Sequence, residues 1–287
     1  MDLTKKAMLS AVHIGYWTGR ASDERVINDI AEKHHSQKDM HEYRKVLIKP
    51  EALNLIKSAR GRARLYWTSN TLPWLDGGTR VLPATRYKEF AAKMREFKAD
   101  FDKEVENFVA AYDLLKAEAR KRLGPALYRE EDYPARSELA ARFKFEVNVF
   151  PIPSSGDWRQ KLGEEAEAEM REELAKSTDD AIAKARAIMS KDLWMRIYAE
   201  VEAMAEAMKR AKPNFRPSIL GNIKAIIAVL PELNVAEDPE LTRMGKEIMT
   251  AISNLDTDVL REDPVQRKRA ANSADAILAK MKGYVGK

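Results

Sequence analysis

"RYKEFAAKMREFKADFDKEVENFVAAYDLLKAEARKRL", residues 86–123, decides the fold class of this 287-residue chain. Large apolar residues recur in it at alternating intervals of four and three, which places them on one face of an α-helix. They are Phe90, Met94, Phe97, Phe101, Val105, Phe108, Tyr112 and Leu115. A helix of this length spans roughly 50 Å, too much for a small domain to cover. The pattern predicts a helix that ends at Gly124-Pro125 and packs on a partner helix or a second subunit, and so a homo-oligomer.

The flanking sequence predicts an α+β fold. Apolar and polar residues alternate through "FKFEVNV", 143–149, as in a strand with one buried face. "ARLYWTS" and "TRVLPATRY", inside 59–87, are interpreted as two extended pieces around a turn. Together they predict a small antiparallel sheet beside the long helix. Ser22 is the expected N-cap of a short helix that follows it.

The second half has the pattern of an all-helical region. Helical spacing continues from Trp158 to Lys212, with a possible break at "KSTDD", 176–180, and two later helices begin near Asp-Pro pairs. We therefore expect two domains: residues 1–160, an α+β domain with the long helix, and residues 161–287, a helical domain.

Composition removes several classes of function. The chain has no cysteine, which excludes disulfides, thiolate metal sites and a cysteine nucleophile. No apolar run reaches the roughly 20 residues of a membrane helix, and the N-terminus is a poor signal peptide. The sequence thus predicts a cytoplasmic protein with no membrane association. Neither a nucleotide-binding glycine loop nor a hydrolase motif is present, so no cofactor and no enzymatic activity are predicted.

Basic character is concentrated at the two ends of the chain. The net charge is +5, and residues 1–66 carry 13 Lys and Arg against 8 Asp and Glu. Residues 261–287 carry 7 against 3. This distribution permits binding to a polyanion without proving it.

A basic and aromatic stretch between residues 57 and 80 is the best candidate site. Cations that follow phosphates and rings that stack on bases are the usual means of holding single-stranded nucleic acid. The candidates are Lys57, Arg60, Arg62, Arg64, Tyr66, Trp67, Trp74 and Arg80. On a strand, Arg62, Arg64 and Tyr66 would share one face. The alternative, which the sequence favours, is that Trp67 and Trp74 are buried against the long helix while the arginines lie in solvent.

Other charged clusters are weaker candidates. Arg267, Lys268 and Arg269 form a basic tail that is a possible second contact to nucleic acid. His34, His35 and His41 lie within eight residues, but their spacing favours a solvated helix end over a metal site. The run Glu130-Glu131-Asp132 is interpreted as a solvated acidic surface.

Four segments resemble an uncharacterised protein family of bacteriophages and prophages. They are "GYWTGR" (15–20), "NTLPWLDGGTRVLPATRY" (70–87), "EEDYP" (130–134) and "FEVNVFPIP" (145–153), and the resemblance extends over roughly residues 8–165. The family has no assigned activity or catalytic residue, so no site is carried over. The resemblance implies a phage setting, in which compact proteins that handle DNA or host factors are common.

These observations lead to one expected function and one alternative. We expect a non-enzymatic, oligomeric phage protein that binds nucleic acid, preferably single-stranded, in replication or recombination. The alternative is a scaffold or interaction protein, such as a partner of an AAA+ machine or an inhibitor of a host defence protein. It would act through its helical half, where Met189, Met195, Met204 and Met208 could form an adaptable surface.

Overall fold

The computed structural model describes residues 3–75, 77–154, 168–210 and 218–286. Its helices are α1 (Glu24–Lys33), α2 (Asn54–Ser69), α3 (Tyr87–Leu127), α4 (Arg136–Leu139), α5 (Ala168–Lys209), α6 (Ser218–Leu233), α7 (Pro239–Ile252), α8 (Thr257–Glu262) and α9 (Pro264–Val285). Its strands are β1 (Ala7–Gly15), β2 (Arg20–Ser22), β3 (Arg44–Val46), β4 (Leu72–Pro73), β5 (Arg80–Pro83) and β6 (Lys144–Pro151). The predicted α+β class is confirmed, with a small antiparallel sheet, a long helix and an all-helical C-terminal region.

The main sheet has four strands in the order β4-β5-β1-β6, and β2 pairs with β3 separately. β1 runs antiparallel to β5, with Ala7 opposite Pro83 and Ser10 opposite Arg80. The period-two prediction for β6 is confirmed, because Phe143 and Phe145 are buried while Lys144 is exposed.

Helix α3 has nearly the predicted limits, but its apolar face is covered within the chain. Gly124 breaks the helix with φ +68° and ψ 176°, a conformation that is essentially restricted to glycine. The ring of Phe101 lies 5.6 Å from that of Phe145, and Phe108 lies 5.7 Å from Phe143. The sequence left open a partner helix or a second subunit, and the same chain supplies the cover: Tyr66 of α2, Phe143 just before β6 and Phe145 in β6 pack on this face. A homo-oligomer remains a prediction, but the apolar face of α3 no longer supports it.

The described chain is organised as two compact units, each built from separate segments. We call Met1–Ala11, Thr68–Lys88 and Asn148–Lys287 the helical unit, and Val12–Trp67 with Glu89–Val147 the aromatic unit. This division differs from the predicted one, because the first part of β1, up to Ala11, shares a unit with the C-terminal helices. The predicted boundary at residue 160 and the helix start at Trp158 lie outside the described residues.

The helical unit packs around one aliphatic core. Helix α5 contacts α6, α7 and α9, and its Leu193, Ile197 and Val201 are fully buried. The predicted break at 176–180 is wrong: α5 continues through it, and the Thr178 hydroxyl donates to the Leu174 carbonyl at 2.9 Å. Among the described helices, none is both long and apolar enough to cross a membrane.

Aspartates begin most of the shorter helices. Asp238 and Asp263 accept from backbone N–H groups at the starts of α7 and α9, which confirms the predicted Asp-Pro starts. Asp256 does the same for α8, a helix that the sequence analysis missed. Helix α1 is capped by Asp23, not by Ser22 as predicted, because the Asp23 carboxylate accepts from the Arg25 N–H.

Candidate nucleic-acid interface

The predicted strand "ARLYWTS", residues 63–69, is in fact the second half of helix α2. Its buried residues are Ile56, Ala59, Ala63 and Trp67, spaced by three and four along the chain. The alanines are small enough for close packing. Burial therefore follows the helical spacing of these four residues and not the two-residue alternation of the larger side chains, which had suggested a strand. In a helix, residues two apart differ by about 200° in direction. Arg62, Arg64 and Tyr66 therefore do not share one face, contrary to the strand interpretation.

The aromatic residues of the candidate site are used in packing. The ring of Tyr66 lies 6.0 Å from that of Phe90 and 5.5 Å from that of Phe97 in the aromatic unit. Trp67 is only 6% exposed. Trp74 is partly buried against the core of the helical unit. The alternative is confirmed for Trp67, which is buried, whereas Trp74 is only partly buried. All three rings pack against the protein, so they are not free platforms for stacking on bases.

Two of the predicted arginines bond to the protein itself. Arg60 donates from Nε to the Ile14 carbonyl at 2.9 Å, and its guanidinium lies 5.4 Å from the centre of the Tyr16 ring. Arg80 donates to Thr71 Oγ1 at 2.8 Å and to the Thr71 carbonyl at 2.9 Å. Burial, helped by the charge of Arg196, lowers the pKa of Arg80. Both arginines are half-buried structural groups.

The outward surface of α2 carries three cations, which lie along its two opposite edges: Lys57, Arg62 and Arg64. We call this outward surface, with both edges, the basic face. Arg62 is largely exposed, and its guanidinium lies 3.4 Å from the Asp100 carboxylate. Lys57 donates to the Pro50 carbonyl at 3.3 Å. Arg64 is exposed, and in the described part of the chain no hydrogen bond or ion pair holds it. The basic face therefore keeps its charge accessible to a ligand.

The helical wheel of α2 shows how these cations are arranged. Lys57 and Arg64 are seven residues apart, so they lie on the same side of the helix, about 10.5 Å apart along its axis. Arg62 lies on the opposite edge of the exposed surface, about 160° around the axis from Arg64. Between the two edges lies Gly61, where an added Cβ would meet no atom within 4 Å. The middle of the surface is thus open.

The other predicted clusters lie elsewhere. Arg267 donates to the carbonyls of Leu260 and Arg261, while Lys268 and Arg269 are exposed on α9. The basic tail therefore presents two solvent-facing cations in the helical unit.

The histidine cluster is a helix end followed by a turn. His34 caps α1, and His41 Nε2 lies 2.6 Å from Ser36 Oγ. Within the described ranges, no group of three or more His, Asp or Glu side chains is placed to hold a metal ion.

A buried ion-pair cluster in the aromatic unit was missed. Lys45 Nζ lies 2.8 Å from Asp23 Oδ2, 2.5 Å from Asp132 Oδ2 and 3.1 Å from the Leu127 carbonyl. The hydrogen bond from Lys45 lowers the pKa of Asp23. Burial opposes the charge of Lys45, but its bonds to the two carboxylates prevail and raise its pKa. Asp132 is only 14% exposed, so the solvated interpretation of Glu130-Glu131-Asp132 is wrong at this residue. Residues 23, 45 and 132 are far apart in the sequence, and no regular spacing indicates that they meet.

No protein-family model, curated protein or solved structure matches this chain. The resemblance to phage proteins therefore rests on the quoted sequence segments and stays a proposal.

Proposed function

We propose that this protein binds nucleic acid through phosphate contacts made by the basic face of α2. The observation that carries the proposal is the composition of that helix: four basic residues and no acidic residue in sixteen. Three of the four, Lys57, Arg62 and Arg64, lie around its outward surface. The helix itself carries no carboxylate, although Arg62 also pairs with Asp100 of α3. A cationic surface of this kind attracts a polyanion and releases its counterions.

The proposed contact differs from the one expected from the sequence. Phosphate contacts position a protein on nucleic acid, whereas stacked rings give a preference for single strands. Because Tyr66, Trp67 and Trp74 are engaged in packing, we propose that single strands and duplexes are both bound. Lys268 and Arg269, which are exposed on α9, supply a secondary contact.

The biological setting is proposed from the sequence segments. Non-enzymatic DNA handling in phage replication or recombination, in the bacterial cytoplasm, fits the phage resemblance. The scaffold alternative has less support, because Met189, Met204 and Met208 are buried, whereas Met195 is exposed. A methionine-rich docking surface is therefore not presented by α5.

Fluorescence anisotropy tests the proposal directly. Labelled single-stranded and duplex oligonucleotides are titrated with the protein at about 50 and 200 mM salt. With three phosphate contacts, duplex affinity is expected to fall about 40-fold over that range. The double variant Arg62→Glu/Arg64→Glu is expected to abolish most binding. The slope of log affinity against log salt concentration should become shallower by the equivalent of about two phosphate contacts.

A matched control separates a local site from net charge. Lys121→Glu/Arg122→Glu makes the same charge change on α3, where both side chains are exposed, and it is expected to keep most of the affinity. Equal losses in the two double variants would show that binding follows net charge only. No binding at low salt would exclude the proposal and favour a protein partner. Light scattering on the same samples measures the oligomeric state.

A further inference from the structure

A pocket in the helical unit has no part in the proposed function. Its volume is about 830 Å³, which is within the range of roughly 300–1,000 Å³ for small-molecule sites. The pocket is surrounded by Lys5 and Lys6 before β1, residues 83–85 at the end of β5, the end of α6, the loop after α6, and α7. Segments that are distant in the sequence therefore converge on one concave surface.

The floor of the pocket is apolar. Ile227, Leu230 and Val235 line it and are almost completely buried, and Met249 adds a partly exposed side chain. The helices α6 and α7 lie very close to each other here. A Cβ added to Gly245 of α7 would be only 2.7 Å from Leu230 Cδ2 of α6. An apolar floor of this kind favours burial of a hydrocarbon or aromatic group.

The rim of the pocket carries more positive than negative charge. Its two carboxylates have cationic partners: Glu232 lies 3.4 Å from Arg86, and Glu237 pairs with Lys6. Two further lysines, Lys5 and Lys246, also line the pocket. The described lining residues include no third carboxylate. Among the described residues that line the pocket, the three lysines outnumber the two carboxylates by one, so the opening has a small net positive charge.

We infer that this pocket binds a small organic anion with an apolar body, such as a medium-chain carboxylate. The apolar part enters against Ile227, Leu230 and Val235, and the anionic group lies at the rim near Lys246. Volume, apolar floor and positive rim together favour one small molecule of this class. The inference does not depend on the basic face, which belongs to the aromatic unit.

Calorimetric titration of the full chain with octanoate tests the inference. Saturable binding of one octanoate per chain is expected, and octylammonium, with an apolar chain of the same length, is expected to bind at least tenfold more weakly. Lys246→Glu is expected to weaken octanoate binding about tenfold, because it replaces an attraction by a repulsion. Ala84→Trp, at an exposed position on the rim, is expected to obstruct the pocket and abolish binding.

Lys224→Glu is the matched control, since Lys224 is exposed on α6 but does not line the pocket. It should leave octanoate affinity unchanged. The inference is overturned if wild type shows no saturable octanoate binding, if octylammonium binds equally well, or if Lys224→Glu and Lys246→Glu have equal effects. Circular dichroism of each variant verifies that it is folded.

Discussion

The two units stabilise their interiors by different means. The helical unit buries mainly leucine, isoleucine, valine and methionine from α5, α6, α7 and α9. The aromatic unit buries interlocking rings, such as Trp17 against Tyr112 at 5.9 Å, and the charged cluster at Lys45. An aliphatic core tolerates exchange between side chains of similar volume, whereas a buried charge tolerates no loss of a partner. We expect substitutions to have correspondingly different effects.

The largest effect is expected for Lys45→Met in the aromatic unit. Removal of the ammonium takes away the cation that Asp132 bonds to and leaves the buried Asp23 with only the half-exposed Arg25, at 3.3 Å, so the free energy of unfolding should fall by about 3–5 kcal/mol. Lys49→Met removes an exposed pair with Glu118 and should cost less than about 1 kcal/mol. Urea denaturation followed by tryptophan fluorescence measures both. If both variants lost only a little stability, the expected sensitivity of the aromatic unit to loss of a buried ion-pair partner would be contradicted.

A large but graded effect is expected for Ile248 in the helical unit. This residue is completely buried on α7. Ile248→Ala should lower the free energy of unfolding by about 2–5 kcal/mol, and Ile248→Val by about 0.5–1.5 kcal/mol. Thermal and urea denaturation of the pair give the comparison. A loss for valine as large as that for alanine would show that this core is as sensitive to shape as the aromatic one.

Two glycines of the aromatic unit should respond in opposite directions. Gly124→Ala places a Cβ at φ +68° and should destabilise the protein by about 1–3 kcal/mol. Gly61→Ala lies inside α2 in open space and should stabilise it by about 0.5–1 kcal/mol. The midpoint of urea denaturation measures the sign of each change. Destabilisation by Gly61→Ala would contradict the open surface described for α2.

A more modest loss of stability is expected for Asp238→Ala in the helical unit, and it should depend on pH. Asp238 accepts from Ser190 Oγ at 2.5 Å and from Trp194 Nε1 at 3.1 Å. Burial opposes ionisation, but these bonds prevail and lower the pKa of Asp238 below its usual 3.8. Loss of this cap in Asp238→Ala should cost about 1–2 kcal/mol at neutral pH.

The sign of the pH dependence follows from that lowered pKa. The stabilisation by Asp238 is present above the unfolded-state pKa and is lost as pH falls through the folded-state pKa. The difference between wild type and Asp238→Ala should therefore shrink below about pH 3.8. Denaturation curves from about pH 7 to about pH 3 test this. A constant difference would mean that the carboxylate charge does not contribute.

Local sequence patterns were reliable where one segment carried the whole signal. The 86–123 helix, its end at Gly124-Pro125 and the alternation in β6 were predicted because their periods are long and regular. Helix α2 was misinterpreted because its buried side includes Ala59 and Ala63, which are weak hydrophobic signals beside bulky Tyr66 and Trp67. Because this segment is a helix, the candidate site differs from the predicted one. Its aromatic rings pack against the protein, and three of its cations face outward.

The sequence by itself determined the α+β class, the long helix and the concentration of basic residues around α2. Only the tertiary structure decided that Trp67 is buried, that Lys45 meets Asp23 and Asp132, and that α6 and α7 form a pocket with the residues after β5. The physical reason is that periodicity and charge composition are local properties of the chain. Burial, ion pairing and pocket shape depend on which distant segments pack together, and no local pattern specifies those partners.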